Sequence, residues 1–152
     1  MDDPPFPNAS FDLVWAEGTA YILGWDKALR QWKRLLAPNG KLVATDTFWL
    51  TENRSPGAAA FWAADPLMMT VDDAAEIARR AGYVVVDTYV QPESDWCDEY
   101  YDPLSSRVDE LAPGADPQMQ EALAMTSTEI DVRRRYGAEY GHVGFVLAQL
   151  QD

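Results

Sequence analysis

Cysteine is nearly absent. Cys97 is the only one in 152 residues, so no disulfide can form within the chain. Histidine is as scarce, and His142 and Cys97 lie too far apart in sequence to give metal-ligand spacing. No metal site is expected. No run approaches the ~20 apolar residues of a membrane span. The opening Met-Asp-Asp-Pro-Pro has neither the basic flank nor the apolar core of a signal peptide. The expectation is a reducing, cytoplasmic setting without a membrane partner. Basic side chains are also few, 12 against 25 acidic ones, for a formal charge of −13. That field repels phosphate backbones and anionic lipid, so nucleic acid is not an expected partner.

What is plentiful is aromatic. Six Trp, seven Tyr and five Phe are enough to build a core and also to line a pocket for flat or apolar ligands. Hydrophobic residues at 47% and charged residues at 24% place the chain among globular proteins, with length for one domain and one core.

The chain alternates strand and helix signals. Residues 4–10 hold three prolines and predict no regular element. FDLVW (11–15) reads as a buried strand. Asp26 is placed to cap a helix in which Ala28, Leu29, Trp32, Leu35 and Leu36 recur at helical spacing. Pro38-Asn39-Gly40 then turns the chain into a strand, KLVATD (41–46). A short helix is predicted after Ser55-Pro56. Thr70 to Asp73 opens another helix with a capping-box-like pattern, and Gly82 stops it. YVVVDTYV (83–90) is β-branched and aromatic, a strand. Residues 91–102 read as a polar aromatic loop. Asp102-Pro103 and Asp116-Pro117 both look like helix starts, the second of a helix running to about Tyr136. Residues 143–150 close as a strand. The result is an α/β layered domain with four strands. FDLVW is apolar enough to be central, yet nothing is left to lie on its far side.

The segment PFPNASFDLVWAEG…KALRQWKRLLAPNGKLVATD resembles the middle of the class I S-adenosylmethionine-dependent methyltransferase family. There an L-P-F-x-x-x-S-F-D-x-V segment leads into the fourth strand, and a helix runs to L-x-P-G-G and the fifth. The matching residues are Pro5, Phe6, Ser10, Phe11, Asp12, Val14, Arg34, Leu35, Leu36, Pro38 and Gly40. Pro4 replaces the usual Leu. Asn39 replaces the first Gly and tolerates the same left-handed backbone. MTVDDAAEIARRAGYVVVDTYV is similar to the next helix and the sixth strand, and GHVGFVLAQ to the antiparallel seventh. The resemblance implies an α/β, partial Rossmann-like methyltransferase sheet of family strands 4, 5, 6 and antiparallel 7 with flanking helices. Residues 1–152 would be a single domain, the C-terminal part of that fold.

Strands 1–3 would be missing. The family's first strand ends in a D-x-G-x-G-x-G loop that approaches the cofactor, and none of the nine glycines here sits in that pattern. Gly141-His142-Val143-Gly144 opens a strand instead of joining one to a helix, so no helix N-terminus faces a ligand. By the family register, Met1 falls just after an Asp that contacts the adenine amino group. A start codon set too late and a truncated gene both give this register.

The resemblance implies S-adenosylmethionine as cofactor, with Met1, Glu17 and Gly18 on its side. Tyr21, Asp46, Trp49, Trp96, Tyr100, Tyr101 and Arg107 are the candidates on the side of the methyl acceptor, expected to be a small molecule. The catalytic residue is left unassigned. Glu17 can also be read as an exposed loop carboxylate, Tyr21 as a core ring, and the 96–107 group as packing of a lid helix. His142 is a base by type, but its glycine neighbours favour a structural role. Three functions follow. The chain is a methyltransferase, weak or inactive alone, whose front half is missing or comes from a second chain supplying strands 1–3. Alternatively it is a non-catalytic remnant, dimerisation or binding module that associates, as a homodimer for example, around the FDLVW strand. The third reading is a small-ligand binder using only the aromatic pocket.

Overall fold

The computed structural model describes residues 4–65 and 67–150. In chain order the elements are β1 (Phe11–Glu17), α1 (Trp25–Lys33), β2 (Leu36–Trp49), α2 (Pro56–Trp62), α3 (Val71–Arg80), β3 (Tyr83–Val90), α4 (Glu93–Trp96), α5 (Asp102–Leu111), α6 (Pro117–Tyr136) and β4 (Tyr140–Gln149). The strands form one sheet in the order β1-β2-β4-β3. β1 and β2 are parallel, as a strand–helix–strand crossover requires. β4 lies antiparallel between β2 and β3. This is the expected four-strand α/β arrangement with an antiparallel last strand.

The two faces of the sheet differ. On the inner face Val14 and Ala16 of β1 share a side with Leu42 and Ala44 of β2 and Phe145 and Leu147 of β4. These pack with Leu29 and Trp32 of α1 and Ala74, Ala75 and Ala78 of α3 into the main core. Trp25, Phe48 and Phe145 meet there with centroids 5.1–5.4 Å apart. Tyr83 donates its buried hydroxyl to the Leu29 carbonyl, tying β3 to α1. On the outer face Leu13, Trp15, Val43, Val146 and Val84 share a side through the same registers. Leu13 is 49% and Trp15 60% exposed, so this apolar stretch is open to solvent.

Local chemistry explains where elements start and stop. Thr70 caps α3, its hydroxyl accepting from the Asp73 amide. Asp116 caps α6 in the same way, and Gly82 ends the loop after α3 at φ +85°. These match expectation.

Three places do not. The first cap is Gly24 at φ 84°, not Asp26, which sits in the first turn and pairs with Arg30. Pro38-Asn39-Gly40 turns as expected, with Asn39 left-handed at φ 67°. However, the turn lies inside β2 as an irregularity, because Leu36 already pairs with Phe11 before the register resumes at Leu13↔Lys41. Residues 91–102 are not a loop. They hold α4 and a π turn over Cys97–Tyr101 that runs straight into α5. Pro103 therefore does not start a helix after a loop. The wider π turn takes up the missing amide and the ring clash that a proline brings to a continuous helix.

Candidate active site

The carboxyl ends of β1 and β2, the end of β3 and the start of β4 lie together. Register places Glu17 beside Thr45, Thr45 beside Gly144, and Thr47 beside His142, all on the outer face. This is the end at which open α/β sheets bind ligands.

Three cavities run across it in series. The first, about 430 Å³, is an open apolar groove along the β1 edge, lined by Phe6, Phe11, Leu13, Trp15 and Leu35 and ending at Glu17. The second, about 170 Å³, is polar and holds Glu17, Thr45, Gln91, Asp95 and His142. The third, about 540 Å³, is an aromatic chamber lined by Tyr21, Thr47, Phe61, Trp62, Trp96, Tyr100, Tyr101, Glu129, Tyr140 and His142. Glu17 borders the first two and His142 the last two.

The chamber is built from six segments, with Thr47 from β2 and Tyr140 and His142 from β4 at its base. Tyr21 comes from the turn after β1. Phe61 and Trp62 come from the end of α2. Trp96, Tyr100 and Tyr101 come from α4 and the π turn, and Glu129 from α6. Trp96 and Tyr101 stack in parallel with centroids 5.9 Å apart, and Tyr101 meets Tyr100 edge-on at 4.9 Å. Behind this wall lies Arg133, 3% exposed at its side chain. Its guanidinium lies 4.6 Å from the Trp96 ring and 5.4 Å from Tyr140. It donates 2.8 Å to the Tyr140 carbonyl and pairs with Glu93. So buried a charge is tolerable only with such partners, and they dock α4 and α6 onto the start of β4.

Burial sets the ionisation of the site. His142 is pushed below its ordinary pKa, first by desolvation and then by Arg133, with Glu17 opposing. Its ring meets Trp96 edge-on at 4.7 Å. Desolvation, reinforced by Glu129, raises Tyr101, whose hydroxyl donates 2.9 Å to Glu129. Tyr140 is pushed up to about 12 by burial, against the pull of Arg133. The chamber thus holds neutral rings, a neutral imidazole near pH 7, and one carboxylate.

Comparison with known proteins bears on the fold. Residues 1–44 match the methyltransferase domain family. SpnF, a [4+2]-cyclase, superposes with a TM-score of 0.69 and 19% identity over 99% of this chain and 53% of its own. The chain has the methyltransferase fold. Phosphoethanolamine N-methyltransferase 2 of Haemonchus contortus, in complex with S-adenosyl-L-methionine, gives 0.70 and 18% over 96% of this chain and 35% of its own. An S-adenosylmethionine-dependent methyltransferase of Geobacter sulfurreducens, in complex with S-adenosyl-L-homocysteine, gives 0.70 and 16% over 98% and 62%. The chain therefore spans between 35% and 62% of the length of these three structures. Curated protein sequences give no match. Since a cyclase shares the methyltransferase fold, the fold alone does not dictate the reaction.

Within this methyltransferase fold the predicted residues separate. Met1 lies outside the described residues. Glu17 and Gly18 stand at the end of β1. Gly18 has φ +53°, and its amide is held 3.0 Å from both the carbonyl and the hydroxyl of Thr45. A Cβ on Gly18 would sit 3.6 Å from the His142 ring, so the turn passes close over it. Tyr21, Trp96, Tyr100 and Tyr101 come together in the chamber. Asp46, Trp49 and Arg107 do not join them. Asp46 does not line the chamber; it is buried beside a small cleft that shares Tyr21 and Thr47 with it, and accepts from the Thr47 amide. Its pKa is raised, mainly by desolvation. Trp49 is packed in a second core cluster with Ala58 and Tyr140, with Arg54 over its ring. Arg107 pairs with Glu110 on the exposed side of α5. Sequence reasoning missed Phe61, Trp62, Glu129 and Tyr140. It assigned His142 a structural role, whereas the ring forms the wall between two cavities. The adjacent Phe61 and Trp62 at the end of a predicted helix were the available signal; nothing local marked Glu129.

No helix among the described residues is long and apolar enough to cross a membrane.

Proposed function

We propose that this chain forms the acceptor side of an S-adenosylmethionine-dependent methyltransferase that acts on a small molecule. The observation that carries this reading is the aromatic chamber, joined through His142 and Glu17 to an open groove at the carboxyl ends of the strands. S-adenosylmethionine, when bound, supplies an electrophilic methyl group on a sulfonium.

The residues present fit one side of such a cofactor. The groove over β1 offers apolar walls for a purine and Glu17 at its end for a polar or cationic group. No glycine-rich strand–loop–helix occurs among the described residues. In this reading the other wall comes from further polypeptide packed on β1, either in cis or from a second chain. The chain by itself is then a weak methyltransferase or an inactive one.

The protein's own tasks are alignment and exclusion of water. The rings of Trp96, Tyr100 and Tyr101 enclose the acceptor. His142, uncharged near neutral pH, is placed to accept a proton from it. Glu17 stands between groove and chamber. In a preparation that methylates, His142→Gln is expected to lower kcat by about 10²-fold if proton removal limits the rate.

Calorimetric titration of the 152-residue chain with S-adenosylhomocysteine tests the division of the site. Binding weaker than about 100 μM is expected. Micromolar binding would show that this chain holds the cofactor unaided.

The open outer face favours a second reading, a strand-pairing or dimerisation module without catalysis. An unpaired edge with exposed Leu13 and Trp15 invites association. Light scattering after size exclusion decides it. A stable dimer that Trp15→Glu dissolves supports the module, and a monomer at all concentrations counts against it.

A further inference from the structure

We propose that the aromatic chamber binds an organic ammonium group, held by ring faces and by the carboxylate of Glu129. This rests on reading the chamber as the acceptor site and names the charge that site selects.

Seven of its ten lining residues are aromatic. Ring faces are electron-rich and attract cations most strongly where water is excluded. Among the described residues Glu129 is the only carboxylate that lines the cavity, and no Lys or Arg does. Tyr101 donates to Glu129 at 2.9 Å and fixes its orientation. A neutral apolar guest would desolvate that carboxylate and leave it only the Tyr101 hydroxyl, a neutral donor, which is unfavourable. An anionic guest would meet it with no compensating cation.

The nearest buried cation, Arg133, lies behind the Trp96 and Tyr140 rings. It is engaged by Glu93 and the Tyr140 carbonyl, so its charge is offset in part and it does not itself line the chamber. The chamber volume, about 540 Å³, is in the range of small-molecule sites. The charge of −13 over the whole chain adds a field that draws cations.

Three probes of one shape separate the possibilities. Choline, 3,3-dimethyl-1-butanol and 3,3-dimethylbutanoate carry a positive, a zero and a negative charge on nearly the same frame. Each is titrated into the full 152-residue chain and followed by tryptophan fluorescence, with calorimetry as a second readout. Choline is expected to bind at least about tenfold more tightly than the alcohol, and the carboxylate weakest of the three. Glu129→Gln should reduce the choline preference to about threefold or less. Glu129→Asp, which keeps the charge, should retain most of it, and circular dichroism verifies the fold of both variants. Equal affinity for choline and the alcohol, a preference for the carboxylate, or no saturable choline binding would each overturn the proposal. Choline selectivity supports it whether or not S-adenosylhomocysteine binds, so the two readings fail separately.

Discussion

The two faces of the sheet share the same strands yet follow different rules. The inner face is covered by α1 and α3, and Leu42, Phe145 and Leu147 there are fully buried. The outer face carries a comparable apolar row, Leu13, Trp15, Val43, Val146 and Val84, and leaves much of it in water. Only its end is roofed, by Tyr89 over Gly144, where a Cβ would collide with the ring, and by the α4–α6 lid. Stability therefore comes from one face, and the polar cavity and the aromatic chamber come from the other. An apolar row left open is either an interface or a liability.

Core truncation should show the contrast most strongly. Phe145→Ala, which removes the ring that meets Trp25 and Phe48, should cost about 3–5 kcal/mol. Trp15→Ser should change stability by no more than about 0.5 kcal/mol. Urea denaturation of both variants measures the difference. Equal costs would mean that the outer face is buried in solution, and the dimer reading would then gain over a monomeric half-site.

Much of this was legible in the sequence, for a physical reason. Regular elements depend on local signals: the β-branched run 83–90, the Thr70 and Asp116 caps, and the proline at the start of α2 and of α6. The inner face was legible because α1 buries Ala28, Leu29 and Trp32 at helical spacing. The lid was not. Its π turn answers to Pro103, and α4 before it is docked through Glu93 and Trp96 by Arg133, 30 residues on from Pro103 in a helix whose polar face does not mark it as buried. Glu129 was hidden for the same reason: it looks like a surface carboxylate until Tyr101 meets it. Asp46 and Trp49 were read as site residues because they end a strand at the functional edge. Alternation sends Asp46 to the inner side, and Trp49 packs beneath Tyr140.

The lid gives the next largest effect. Glu93→Ala leaves the Arg133 charge buried with only the Tyr140 carbonyl and the rings. The cost should be about 2 kcal/mol, below the ~3–5 kcal/mol of a fully buried pair, because Glu93 is itself partly solvated. Tryptophan emission should report loosening around Trp96, while the inner core keeps its denaturation midpoint. A midpoint lowered equally for lid and core, with the slope unchanged, would mean that they are one cooperative unit.

The smallest effects are in pH dependence, and here the two sides of the sheet end oppose each other. Asp46, near the inner side, has its folded pKa raised above 3.8 by burial. The fold then holds the proton more tightly than the unfolded chain, so this group's contribution is fully present below 3.8 and is lost as pH rises through the folded value. Asp46→Asn should accordingly be more stable than the parent at pH 7, with the difference vanishing in acid. His142, on the outer side, has its folded pKa lowered from 6.5 by burial and Arg133. The unfolded chain now binds the proton more tightly. Stability falls as pH drops below 6.5 and stops falling once the folded imidazole is itself protonated. His142→Gln should remove that slope and leave the Asp46 slope untouched. If instead His142→Gln leaves the acid limb between pH 6.5 and 5 unchanged, the imidazole is hydrated in solution, and the wall between the polar cavity and the aromatic chamber is open to water.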